Sequence, residues 1–239
     1  MNIDGFSIVT ITKRKNCISR LIKNFLGQVI PNKELIVVIN NDSISIKDFY
    51  LYTNLYNNIQ VYKLSQNISL GMCLNYACSK SKYNIICKFD DDDYYSPYYL
   101  KEAESKFLNY DCDIVGKLKA YVYLSMYNML LLKVNKVEND YVTTVLGSTI
   151  CFKKSILDDV KFKDVNCLED KYFNSDCLKL GYKIYSSSRY NHIIYKHKDP
   201  NEHTFASNIP FLIKTSKIIE SNVSFYDCFK IVDENKKMS

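Results

Sequence analysis

Asn84-Ile85-Ile86-Cys87-Lys88-Phe89-Asp90-Asp91-Asp92-Asp93 is a mostly apolar run that stops at four consecutive carboxylates. A short run of this kind, ended abruptly by polar residues, reads as a strand covered on both faces. Adjacent carboxylates repel one another unless a cation or solvent relieves them, and aspartate oxygens are the hard ligands that Mg²⁺ or Mn²⁺ prefers. An acidic tetrad taken alone is as well explained by a solvated turn. A buried strand that carries it to its carboxyl end favours the metal reading, because Asp-x-Asp spacing lets two carboxylates point to one side of an extended chain.

Upstream of this stretch, strand-like runs alternate with helical patterns. Phe6 to Thr12 reads as a first strand. Leu21, Ile22, Phe25, Leu26 and Val29 then recur at the spacing of one helix face, with Asn16 placed to cap the helix. Leu35 to Ile39 is a second strand, closed by the turn-forming Asn40-Asn41-Asp42-Ser43. Ile59 to Leu64 reads as a third strand and Leu70 to Ser79 as a helix. Downstream, Ser96-Pro97 supplies a cap and a first-turn proline for a helix whose apolar face is Tyr99, Leu100, Ala103 and Phe107. The alternation predicts an α/β fold with a mostly parallel central sheet flanked by helices. In such sheets ligands bind beyond the carboxyl ends of the strands, where Thr10, Thr12, Asn40, Asn41 and Asp90 to Asp93 converge.

After residue 110 mixed strands and loops follow, among them Asp113 to Gly116, Lys119 to Leu124 and Thr149 to Phe152. Glu169 to Leu180 reads as a helix with Tyr172, Phe173, Cys177 and Leu180 on its apolar side and Gly181 as its stop. Phe211 to Val232 reads as an amphipathic helical region. The expected organisation is one domain over 1–205, with a donor half to about 110 and an acceptor half beyond it, and a helical extension over 206–239 packed on it.

The chain has 239 residues, 47% hydrophobic and 24% charged, and a net charge of +6. A chain of that size buries a substantial core, and a mild, scattered positive excess makes no case for nucleic acid. No stretch reaches the ~18 apolar residues of a membrane span; Leu124 to Val134 is short and interrupted by Asn128 and Lys133. Without an export signal, the nine cysteines read as reduced core residues. A cytoplasmic protein is expected, at most peripheral to the inner face of the membrane. Phe225, Tyr226 and Phe229 are read as packing on the domain in preference to pairing subunits or touching a membrane.

Among the acids, Asp92 is the first candidate metal ligand, Asp90 would reach a ribose or a metal-bound water, and Asp91 and Asp93 carry less weight. Glu169-Asp170 stands on the first turn of its helix. Asp170 is the candidate general base, while the simpler reading is a pair of acids at the positive end of a helix dipole. In Tyr195-Lys196-His197-Lys198 and Glu202-His203-Thr204, a lysine or histidine could contact a departing diphosphate and a histidine could complete a metal shell, His203 ahead of His197, against a solvated basic loop.

In this order the stretches resemble the family 2 glycosyltransferases, the inverting GT-A group, from about Phe6 to about Tyr185. Phe6 to Thr12 is similar to the family's opening strand, and Asn40 stands where the family has the acid that contacts the nucleotide base. Asn67-Ile68-Ser69-Leu70-Gly71 through Asn75 resembles its Asn-x-Gly segment, with Ser69 and Leu74 at the usual glycine and arginine. Phe89 to Asp93 matches its apolar-Asp-x-Asp-Asp motif, the DXD motif. Glu169-Asp170 with Gly181 matches its Glu-Asp helix, and Gly147-Ser148 its small-residue loop near the acceptor.

The resemblance implies a GT-A, Rossmann-like fold and inverting transfer from a nucleotide-sugar, UDP-linked by preference, to a glycan, lipid-linked or protein acceptor. It implies Mn²⁺ or Mg²⁺ held by Asp92, Asp90 and His203. Thr10, Thr12, Arg14, Asn40, Asn41, Asn67, Asn75, Asp90 and Asp91 would then surround the donor nucleotide, with Asp170 as base beside Glu169. A sugar nucleotidyltransferase would carry a glycine-rich loop after the first strand, where Thr12-Lys13-Arg14-Lys15-Asn16 stands instead. A catalytically silent binding module of the same fold is disfavoured by intact acids at both Asp92 and Asp170.

Overall fold

The computed structural model describes residues 2–134, 136–198 and 208–233. Its first half alternates as expected: β1 (Phe6–Thr12), α1 (Ile18–Gly27), β2 (Lys33–Ile39), α2 (Tyr50–Leu55), β3 (Ile59–Lys63), α3 (Leu70–Ser79) and β4 (Ile85–Lys88). Next come β5 (Tyr94–Tyr95), α4 (Tyr99–Asn109), β6 (Ile114–Gly116), β7 (Tyr121–Leu124), β8 (Met129–Lys133), β9 (Asp140–Val142), β10 (Cys151–Lys153), α5 (Glu169–Lys179), β11 (Ile184–Ser186) and β12 (His192–Lys196). Helix α6 (Ile209–Lys214), β13 (Ser216–Ser221) and α7 (Phe229–Val232) end the described chain.

Among the described residues, eight strands form the main sheet in the order β3-β2-β1-β4-β10-β6-β11-β9. The first four pair in parallel, and β10 inserts antiparallel between β4 and β6. Alternating side chains send each strand to two cores. Phe6, Ile8, Leu35 and Val37 meet Leu21, Ile22 and Phe25 of α1 and Leu100 and Phe107 of α4 on one side. Val9, Ile36 and Val38 meet Cys73, Leu74 and Ala77 of α3 and Phe173 and Cys177 of α5 on the other. Each of the Val, Leu, Ile and Phe side chains among them contributes about 1.5–3 kcal/mol on burial.

A second sheet, unforeseen as a unit, has the order β13-β8-β7-β12-β5. One of its faces packs Tyr121, Tyr123, Leu130 and Leu132 against Phe225, Cys228 and Val232. The other sets Val122, Leu124 and Leu131 against Ile209, Leu212 and Ile213 of α6. Strand β5 belongs to this sheet through Tyr94 and Tyr95, which pair with Ile193 and His192. The chain therefore crosses from one sheet to the other within Asp90–Asp93.

Several local expectations change. Helix α1 follows a 3-10 turn at Lys15–Cys17 and has Cys17, not Asn16, at its cap. Helix α4 begins at Tyr99 behind Tyr98, because Ser96 accepts the Tyr98 N–H in a turn ahead of the helix. Tyr172 and Leu180 are exposed, so only Phe173 and Cys177 of the expected face enter the core. The region read as helical over Phe211 to Val232 is helix, strand and helix, because β13 pairs with β8, with a register shift between Ile218 and Glu220. Leu124 to Val134 is the turn and second strand of a hairpin, with Asn128 at φ 46. No helix among the described residues is long and apolar enough to cross a membrane. All nine cysteines are free, eight of them buried, and burial pushes the Cys17, Cys78 and Cys177 thiols up to about 12.

Candidate active site

The acids open into a cleft of about 550 Å³ that also receives Arg14, Lys88, Gly147, Ser148, Glu169 and Asp170. The four aspartates divide by direction. The Asp90 side chain is 39% exposed, and Lys88 Nζ holds its Oδ1 at 2.6 Å. Asp92 Oδ2 lies 2.8 Å from the Arg14 guanidinium and 3.0 Å from His197 Nε2. Asp91 turns inward, accepting from Thr12 Oγ1 at 2.6 Å and from Arg14. Burial pushes its carboxyl up against the pull of Arg14. Asp93 is buried and accepts from the Tyr195 N–H at 2.9 Å, with His192 Nε2 at 3.0 Å from its other oxygen.

Glu169 and Asp170 enter on the first turn of α5. Leu168, just before them, has φ 66 and ψ 13, a left-handed conformation costly for a side chain of this size. Burial raises the Glu169 carboxyl, Asp170 adds to the rise, and Lys88 opposes it. Burial alone would lower the Lys88 ammonium, but Asp90, Glu169 and Asp170 outweigh it and hold it above the usual lysine value. Lys88 thus pairs with a strand-end acid and feels the charge of the helix-start acids. Gly147 packs on Asp170: a Cβ there would stand 2.5 Å from Asp170 Oδ2 and 2.9 Å from its Cβ.

Three supports went unread in the sequence. Tyr95 Oη accepts from the Asp90 N–H at 2.8 Å and donates to the Ser148 carbonyl at 2.6 Å, joining the acid loop to the small-residue loop. The Arg20 guanidinium donates to the Asp92 carbonyl and lies 4.4 Å and 4.7 Å from the ring centres of Tyr195 and Phe225. Asn24 donates to the Asp93 carbonyl at 2.9 Å and accepts from the Tyr95 N–H at 3.2 Å. The available signals were a lysine inside an otherwise apolar strand, at Lys88, and the polar Asn24 amid the apolar positions of α1, with Gln28 just past its end.

Other expected donor residues are brought near the rim but engaged by the backbone. Asn40 is fully buried and donates to the carbonyls of Ser65 and Ile68. Asn41 donates to the Lys13 carbonyl. Asn75 is held away from the cleft by hydrogen bonds to the N–H and C=O of Phe162. Thr10 is buried, its hydroxyl without a partner among the described residues, and Asn67 is exposed. His203 lies outside the described residues. Among the described residues His197, ranked behind it in the sequence, reaches Asp92.

The Glycosyl transferase family 2 model matches residues 7–153, more than half of the chain and inclusive of the acid tetrad. The chain belongs to the family 2 glycosyltransferases. It is 36% identical over 97 residues to the O-antigen biosynthesis glycosyltransferase WbnJ of Escherichia coli, a match spanning 40% of this chain and 38% of that protein. Its fold is similar to that of S. aureus TarS 1–349, with a TM-score of 0.65, 18% identity, and coverage of 80% of this chain and 60% of that one. The mannosyltransferase PcManGT from Pyrobaculum calidifontis, in complex with GDP-Man and Mn²⁺, aligns with a TM-score of 0.59 at 12% identity, covering 82% of this chain and 60% of that one. The chain thus spans less than two thirds of the length of each of these proteins.

The acids of this family 2 glycosyltransferase suit a divalent cation. Asp90 Oδ2 and Asp92 Oδ1 make no hydrogen bond among the described residues, while their other oxygens are held by Lys88, Arg14 and His197. Two carboxylate oxygens with phosphates and waters make up the shell that Mg²⁺ adopts at phosphate sites. No group of three His, Cys, Asp or Glu converges into a closed cage among the described residues.

Proposed function

We propose that this glycosyltransferase moves a sugar from a nucleoside-diphosphate sugar, UDP-linked, to an acceptor hydroxyl with inversion, using a divalent cation. The observation that carries the reading is that one cleft combines two partly free carboxylates at a strand end with Asp170 on the first turn of a facing helix. A TarS structure in complex with UDP-GlcNAc and the PcManGT complex with GDP-Man and Mn²⁺, both similar in fold, support a nucleotide-sugar donor.

Asp90 and Asp92 would hold the cation, which would supply charge neutralisation for the departing diphosphate. Lys88 holds one oxygen of Asp90 and leaves the other to the cleft. Asp170 takes the proton of the acceptor hydroxyl as that oxygen attacks the anomeric carbon, and a single displacement inverts the centre. Gly147, lacking a Cβ, leaves Asp170 its place. Hydrolysis of UDP-sugars, followed with and without Mn²⁺ or Mg²⁺, is expected to require the metal. Asp170→Asn should lower turnover by roughly 10²–10⁴ while metal-dependent UDP binding persists. Should Asp92→Ala bind UDP and Mn²⁺ as tightly as wild type, the assignment is wrong.

A further inference from the structure

Two further cations line the same cleft, Lys196 one residue before the His197 that reaches Asp92. Lys133 closes β8 and Lys196 closes β12, both on the second sheet, and both line the cleft beside Val122, Ile194 and Leu212. Alternation along a strand sets Lys133 on the face of Leu131, and Lys196 on that of Ile194. This is the apolar face that α6 covers.

The cations of the acid end are matched: Arg14 by Asp91 and Asp92, and Lys88 by Asp90. Near the start of β7, Lys119 and Arg189 share Glu138. Lys133 and Lys196 make no ion pair among the described residues. Burial lowers the Lys133 ammonium, and Lys196 and Lys136 push it further down, with Asp93 opposing. A half-buried ammonium facing like charges on an apolar wall is costly unless an anion joins it.

We infer that Lys133, with Lys196 beside it, binds a phosphate group carried by the acceptor, so that the acceptor is a phosphorylated sugar or polyol. This rests on the reading of the cleft as a sugar-transfer site. Lysine meets phosphate as a point charge on a flexible stem, without the planar fork that a carboxylate favours. The acceptor is the better source of that phosphate, because the donor diphosphate is met at the first sheet's rim, by the cation at Asp90 and Asp92. An acceptor that offers a hydroxyl to Asp170 extends from that rim along the second sheet, where the two lysines stand.

The test is a calorimetric titration of the whole protein, holding UDP and Mn²⁺, with sn-glycerol 3-phosphate and with glycerol as the neutral control. Glycerol 3-phosphate should bind and glycerol should not. Lys133→Met should weaken the phosphate by about tenfold or more, since a charged hydrogen bond is lost, and leave UDP affinity within about twofold. Lys133→Arg should restore most of the binding, and Lys196→Met should cost less than Lys133→Met. Failure of wild type to bind the phosphate overturns the inference. So does displacement of UDP by glycerol 3-phosphate, or a loss of UDP affinity of about tenfold in Lys133→Met, because the lysine would then serve the donor. If wild type binds no UDP, the donor reading fails separately, and the same titration without UDP still decides the role of Lys133.

Discussion

The two sheets are built differently. In the first, β1, β2, β3 and β4 are parallel neighbours joined by helices close in sequence, and the apolar runs of β1, β2 and β4 are buried on both faces. In the second, β7 and β8 form a hairpin, but β5, β12 and β13 arrive from distant parts of the chain, and tyrosines make up much of one face. The aspartates occupy the crossing between them. Asp90 follows a strand of the first sheet, Asp93 precedes a strand of the second, and the cleft opens beside them. One sheet therefore delivers the acids, and the other anchors the last of them, Asp93.

Cutting the buried link from Asp93 to β12 should have the largest effect on this division of labour. Asp93→Ala leaves His192 and the Tyr195 N–H without their carboxylate, and should cost about 3–5 kcal/mol in urea unfolding at an unchanged denaturant slope. A loss below about 1 kcal/mol would show that the second sheet does not lean on the acid loop.

On the first sheet's side, Gly147→Ala should act on rate more than on stability. Its methyl group meets the Asp170 side chain back to the Cβ, so the carboxylate must shift. A displacement of that order lowers turnover by roughly 10²-fold, read as a fall in kcat with little change in UDP binding. Unchanged kcat would separate Asp170 from the chemistry.

The smallest effect concerns a buried network where the sheets meet. Lys117 Nζ lies 2.9 Å from Glu102, whose carboxylate also accepts from Ser188 at 2.6 Å and Asn191 at 3.0 Å. Burial alone would raise Glu102, but Lys117, Ser188 and Asn191 outweigh it and hold it below the ordinary glutamate value. Its contribution is therefore full above the unfolded value of about 4.3 and is lost as pH falls through the lower folded value. The stability gap between wild type and Glu102→Gln should narrow below about pH 4; a gap independent of pH would show that the ionised carboxylate does not stabilise this junction.

Much of the first sheet was legible because its signals are local. Runs such as Leu35 to Ile39 and the face of Leu21, Ile22 and Phe25 declare themselves within a few residues. Ser69 was unread as a cap, although its hydroxyl accepts the Met72 N–H and starts α3. The acid tetrad, Asp170 and Gly147 were legible as candidates. Lys88, Tyr95, Arg20 and His192 were not, since each also meets a partner far along the chain: Lys88 the charge of Glu169, Tyr95 the Ser148 carbonyl, Arg20 the Asp92 carbonyl and His192 the Asp93 carboxylate.

Local pattern was enough for the parallel βα half, the delivery of acids to a strand end and the helix that begins at Glu169 and stops before Gly181, where φ is +86. These follow from side-chain periodicity and backbone preference, which act over a few residues. Folding in three dimensions was needed to turn Asp91 and Asp93 inward while Asp90 and Asp92 keep an oxygen for the cleft. It also joined β13 to β8 and left Lys133 without a carboxylate among the described residues. Burial and charge pairing between remote segments set those outcomes, and no local pattern records them.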